Sequence, residues 1–213
     1  MSALDFPIGL RLLDRNVLLV GAGKIATGRL IQLLEVGAKV HVVAPIASED
    51  ALRLAAEGRV RLSQRAFEPA DCDGALVIFT ATDDQQVTRA VVAEARRRGV
   101  IVNAADVPDL CDFYVPSFGR RGPVTVAVST GGLAPGLSRA IKERALAAIG
   151  PEYGTLARLL GRLRKLTPPG PARTKALSTI IEAGAAAMLA RGDHPQLWKR
   201  IRAVWPTPFK GAR

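Results

Sequence analysis

Gly21, Gly23 and Ala26 stand in the spacing Gly-x-Gly-x-x-Ala. The first glycine of such a loop permits a tight turn. The second lets the backbone approach a phosphate, and the small third residue allows close helix–strand packing. A helix opening there offers unpaired N–H groups and the positive end of its dipole to an anion. The chemistry this permits is the cradling of a dinucleotide's pyrophosphate. An ordinary βα turn can carry the same glycines, so the flanks decide. Residues 16–20 read as a buried strand, residues 25–36 as a helix and residues 39–43 as a second strand. A second chemical feature is Asp106, which closes Asn103-Ala104-Ala105-Asp106. It is the carboxylate best placed beside a bound nicotinamide. Its plainer role is to start a turn before Val107-Pro108.

These residues need a scaffold that brings them to one edge. The spacing predicts a helix over 48–57, a strand over 60–64, a fully buried strand over 76–81, a helix over 85–98 and a strand over 100–104. Strands alternating with helices of this length imply an α/β fold, a Rossmann-like, doubly wound parallel sheet. Ligands of such sheets bind outside the carboxyl ends of the strands. Three further segments then converge with residues 21–25: Ala44-Pro45-Ile46, the 80–84 stretch containing Thr82 and Asp83, and the stretch from Asn103 to Asp106.

The pattern changes after Asp106. Short strands are expected at 112–115 and 124–129, and a helix at 135–149. Leucines at 156, 159, 160, 163 and 166 predict a helix over 153–166. A proline-rich linker follows at 167–171, then helices at 174–191 and 196–204. We divide the chain into a Rossmann-like domain over 1–115, a segment over 116–150 and a small basic helical domain over 151–213.

The 213 residues, 48% of them hydrophobic, suffice for one large domain or a domain with a smaller helical partner. No apolar run approaches the ~20 residues of a membrane span. The opening Met1–Pro7 stretch lacks a basic segment followed by an apolar one, so no secretory signal is expected. Two cysteines make no disulfide framework, which points to the cytoplasm. His41, His194, Cys72 and Cys111 lack zinc-ligand spacing, so no metal site is expected. The net charge is +11. Residues 1–115 hold 13 basic and 15 acidic side chains, residues 116–213 hold 17 and 4. A positive excess confined to one half points to a polyanionic partner: nucleic acid, a membrane surface or a small polycarboxylate. No helix-turn-helix and no basic stretch interleaved with aromatics is present, which speaks against nucleic acid.

The motifs in order resemble the precorrin-2 dehydrogenase family, also known as the N-terminal domain of siroheme synthase. The resemblance rests on Phe6-Pro7-Ile8, the glycine loop, Val42-Val43-Ala44-Pro45, Ala81-Thr82-Asp83-Asp84 and Asn103-Ala104-Ala105-Asp106-Val107-Pro108. It continues through Phe113-Tyr114-Val115-Pro116-Ser117, Val126–Gly132 and Pro135. It covers roughly the first 165 residues, counting a less specific helical tail. The resemblance implies NAD-dependent oxidation of precorrin-2 to sirohydrochlorin in a homodimer, with ferrous iron insertion in some members. It implies that Lys24, Ile25, Pro45 and Ile46 contact NAD, and that Asp106 handles the proton. It assigns dimerisation to the 116–150 segment, and sets Thr130 where some members carry a phosphorylatable serine.

The residues agree with that substrate class. Precorrin-2 carries many carboxylates, which the basic half would attract. Arg120, Arg121, Arg139 and Lys142 are the expected carboxylate contacts, beside Thr130 and Gly131. The acidic residue that often binds the ribose at the end of the second strand is absent, as Val43 leads into Ala44-Pro45. Three other readings compete: another Rossmann dehydrogenase acting on a polyanion, a tetrapyrrole chelatase or carrier, and a redox-sensing nucleic-acid binder.

Overall fold

The computed structural model describes residues 5–205. The first four residues of the stretch read for a leader lie outside these. By the density of internal contacts the chain forms two compact units, Met1–Val115 and Pro116–Arg213, each described by itself.

The first unit carries a parallel sheet of β1 (Asn16–Val20), β2 (Lys39–Val43), β3 (Arg61–Ser63), β4 (Val77–Thr80) and β5 (Ile101–Ala104), in the order β3-β2-β1-β4-β5. Alternate residues of each strand face opposite layers. Val17, Leu19, Val40, Val42, Val77 and Phe79 pack under α1 (Lys24–Glu35) and α2 (Glu49–Ala56). Leu18, Val20, Val43, Ile78 and Val102 pack with Val91, Val92 and Ala95 of α3 (Gln85–Arg97). All four residues of β4 are buried, as a strand covered on both faces requires. The sheet is therefore doubly wound, and its order reverses between β1 and β4. Capping sets the helix starts: Ser48 Oγ accepts from Ala51 N at 3.3 Å, and Asp84 Oδ1 from Gln86 N at 2.8 Å.

Two expectations need correction. Residues 112–115 form no strand. Their anchorage to β5 uses one backbone exchange plus side chains: Asp112 N donates to Val102 O (2.9 Å), Val102 N to Asp112 Oδ2 (3.0 Å), and Asn103 Nδ2 to Phe113 O (2.9 Å). The strand lies further on, β6 (Ser117–Arg121), paired antiparallel with β7 (Val124–Val128). Its glycine and two arginines disguise it; Gly119 lies close against the Leu146 side chain. The helix expected over 174–191 is two, α6 (Pro171–Glu182) and α7 (Ala185–Ala190), because Gly184 adopts φ +77° between them.

In the second unit α4 (Pro135–Ala147) packs on the β6–β7 hairpin. Then α5 (Pro151–Lys165), α6, α7 and α8 (His194–Val204) enclose a core that includes Leu156, Leu163, Ile180, Met188, Leu197 and Ile201. Pro171 opens α6, so the expected linker ends one residue early. No helix among the described residues is long and apolar enough to cross a membrane.

Candidate functional site

The carboxyl ends of β2, β1, β4 and β5 are held together by hydrogen bonds that run one residue past β1, β4 and β5. Gly21 N donates to Val43 O (2.9 Å), Ala81 N to Val20 O (2.8 Å) and Ala105 N to Thr80 O (2.8 Å). The loops leaving the strands thus start from fixed points on one edge, at the topological switch point where open α/β sheets bind ligands.

Gly21 sits at φ +104°, and a Cβ there would lie 2.1 Å from Ala81 O. Its requirement is internal to the fold. Gly23 is different. It caps α1 in ordinary extended geometry, φ −76°, with nothing within 4 Å of where its Cβ would be. The start of α1 carries no side-chain cap and no acidic residue in its first turn. An exposed helix start with positive dipole, no internal carboxylate and open space over its cap fits a phosphate. Lys24 and Ile25 follow, both exposed. Across the loop Pro45 and Ile46 are exposed too, Ile46 at 85%.

One residue that the sequence did not single out fixes this loop. Ser48 N donates to Ala22 O (3.2 Å), and Ser48 Oγ lies 2.9 Å from Thr27 Oγ1 while also capping α2. Ser48 therefore ties the β2–α2 connection to the glycine loop. Arg29 lies on α1 as well. Its guanidinium stacks 5.3 Å from the Phe79 ring centre, and burial pushes its pKa down.

At the end of β4, Thr82 Oγ1 accepts from Asp84 N (3.3 Å), while Asp83 is exposed. The Thr80 hydroxyl is buried without a hydrogen-bond partner. The Asn103 amide nitrogen is committed to Phe113 O, and lies 3.5 Å from Cys111 Sγ. It fastens the 111–113 segment, leaving its amide oxygen for any ligand. Asp106 is exposed, and its backbone adopts φ +60°. Left-handed backbone is uncommon outside glycine and recurs where function dictates geometry.

In the second unit the expected carboxylate contacts separate by role. Arg121 Nε donates to Ile149 O (3.0 Å) and Nη2 to Leu146 O (3.3 Å). Its charge closes the carboxyl end of α4, where the dipole favours a cation. Arg120 stacks over Phe118 at 5.0 Å. Lys142 lies 3.7 Å from Glu143 with its side chain 17% exposed. Arg139 is exposed on α4. Thr130 Oγ1 accepts from Ala134 N (3.0 Å) and lies 3.1 Å from Ser138 Oγ, so its hydroxyl organises the loop before α4. Gly131 is exposed at φ +59°. Among the described residues no group of three or more His, Cys, Asp and Glu side chains could hold a metal ion.

Residues 8–117 match the family model NAD_binding_7, described as "Putative NAD(P)-binding". The chain is 42% identical over 190 residues to a siroheme synthase of Methylococcus capsulatus, covering 87% of this chain and 40% of that protein. It is 44% identical over 159 residues to a siroheme synthase of Methylobacillus flagellatus, covering 75% and 34%. The chain thus spans about two fifths of these relatives' length or less. Among solved structures, SirC, a precorrin-2 dehydrogenase, superposes with a TM-score of 0.77 at 27% identity, covering 93% of this chain and 100% of that one.

Proposed function

The chain belongs to the NAD_binding_7 family, and from that footing we propose that it oxidises precorrin-2 to sirohydrochlorin, with NAD⁺ as oxidant. The observation that carries this reading is the shared edge. An uncapped helix start at Gly23 and a carboxylate held in left-handed geometry at Asp106 both stand at the carboxyl ends of one parallel sheet.

The α1 N-terminus and Lys24 take the pyrophosphate. Ile25, Pro45 and Ile46 offer exposed apolar surface to the adenosine half. Thr82, Asp83 and the Asn103 amide oxygen border the crevice at β4 and β5. NAD⁺, when bound, supplies a hydride acceptor. Asp106 takes the proton that leaves the macrocycle as conjugation extends, directly or through a water. The basic second unit attracts the polycarboxylate substrate, with Arg120, Arg139 and Lys142 meeting its carboxylates and Thr130 and Gly131 in the neighbouring loop. The absence of an acidic residue at Val43-Ala44-Pro45 leaves NADP⁺ as the competitor to test beside NAD⁺.

We assign homodimerisation to residues 116–150. Leu137 and Ile141 stand one turn apart on α4, 54% and 42% exposed, and Leu133 in the loop before it is 78% exposed, apolar surface suited to self-association. Cys72 and Cys111 are both free thiols, in keeping with a cytoplasmic setting. The deciding experiment incubates the protein with precorrin-2 and NAD⁺ and follows the visible spectrum. The expected result is a sirohydrochlorin chromophore rising with NADH fluorescence. Fresh substrate left unchanged by the folded protein overturns the reading.

A further inference from the structure

Under the Asp106 turn lies a sulfur atom. Val107 N donates to Ala104 O at 3.3 Å, which closes a β-turn over residues 104–107 with Asp106 in its third position. Ala105 is not left-handed and Asp106 is, so the turn is of type II, whose third position favours glycine. Aspartate adopts that conformation less readily than glycine, so a contact from outside the turn steadies it. Cys111 supplies it. Its thiol donates to Ala104 O (3.1 Å) and lies 3.5 Å from Val107 O, while its sulfur accepts from Ala104 N (3.3 Å). One atom thus grips both limbs of the turn. The grip is itself anchored: Asn103 Nδ2 approaches the sulfur at 3.5 Å and donates to Phe113 O, and Asp112 exchanges two hydrogen bonds with Val102.

We propose that Cys111 is a positioning residue, which holds the type II turn so that the Asp106 carboxylate stands at the mouth of the crevice. The inference rests on the reading of Asp106 as the proton acceptor. A sulfur suits the task because its long, weak hydrogen bonds let one atom serve several main-chain groups together. Burial pushes the thiol pKa up, so it stays protonated and keeps its donor.

Two substitutions separate filling from gripping. Cys111→Val keeps the apolar volume and removes every hydrogen bond; Cys111→Ser keeps donor and acceptor. The expected result is a fall in kcat of about tenfold or more for Cys111→Val. The dissociation constant for NAD⁺ should stay within about twofold, and Cys111→Ser should recover most of the rate. A crystal structure of the valine variant should show residue 106 out of its left-handed conformation. An unchanged kcat in the valine variant, or an unmoved Asp106 turn in its structure, overturns the inference. If valine prevents folding, the serine variant decides. Recovery of rate with the turn in place supports the grip, and loss of rate with the turn in place refutes it. Asp106→Asn, measured alongside, keeps the two ideas apart: a fully active Asp106→Asn removes the proton acceptor, whatever Cys111 does.

Discussion

The Cβ that Gly21 lacks would stand 2.1 Å from the carbonyl oxygen of Ala81. The glycine loop and the end of β4 meet backbone to backbone, so the first glycine serves the fold before it serves a ligand. Gly21→Ala should therefore cost about 2–4 kcal/mol, from the forced shift and the left-handed strain. Gly23→Ala, with open space and ordinary φ, should stay within about 1 kcal/mol. Yet Gly23→Ala should weaken NAD⁺ binding at least about tenfold, because the methyl occupies the space the phosphate needs. Thermal melts and cofactor titrations on both variants separate the roles. A Gly23→Ala protein with full cofactor affinity would refute the cradle.

Strain and chemistry can be separated at Asp106. Glycine relieves the left-handed backbone but gains freedom in the unfolded chain, so Asp106→Gly should change stability by less than about 1 kcal/mol. Oxidation should fall by about a hundredfold or more, the usual contribution of a positioned proton acceptor. Denaturant unfolding and steady-state rates on one preparation check both halves.

His41 makes stability depend on pH. Its Nε2 lies 2.9 Å from Ser63 Oγ. Burial, then Arg61, pushes its pKa below 6.5; Asp71 opposes this and Arg65 adds to it. A histidine with a lowered folded pKa takes up its proton first in the unfolded chain. Its contribution is complete above the unfolded value and is lost as pH falls below it. The melting temperature should drop between about pH 7 and pH 5.5, and His41→Gln should remove the histidine part of that drop. An identical pH dependence in the two proteins refutes the assignment.

Arg121 and Arg139 should behave oppositely. Arg121→Ala frees two carbonyls at the end of α4 and should cost about 1–2 kcal/mol in stability. Arg139→Ala should leave the melting temperature alone, raise KM for precorrin-2 and reduce its salt dependence. Kinetics at two ionic strengths check this; a salt-insensitive KM in the unaltered protein argues against steering by charge.

Much of this was legible in the residues, for a local reason. Periodicity and glycine spacing act among neighbours a few positions apart, so the alternation of strand and helix and the doubly wound sheet could be read directly. The misreadings share the opposite cause. Residues 112–115 look like a strand, yet they are joined to β5 by one backbone bond and by the side chains of Asn103 and Asp112. Ser117–Arg121 looks unlike one, yet its Gly119 answers to Leu146 in a helix 27 positions away.

The chain alone offered the residue types and spacings that suit an anion and a proton, because those types and spacings are local. Only the folded molecule decided which of them are at liberty to act. Arg121 is drawn to carbonyls 25 and 28 residues on, Thr130 is absorbed by its loop, and Asp106 is held out by a sulfur that no motif marks. A side chain's partner is set by proximity in space, and proximity between distant positions is a property of packing.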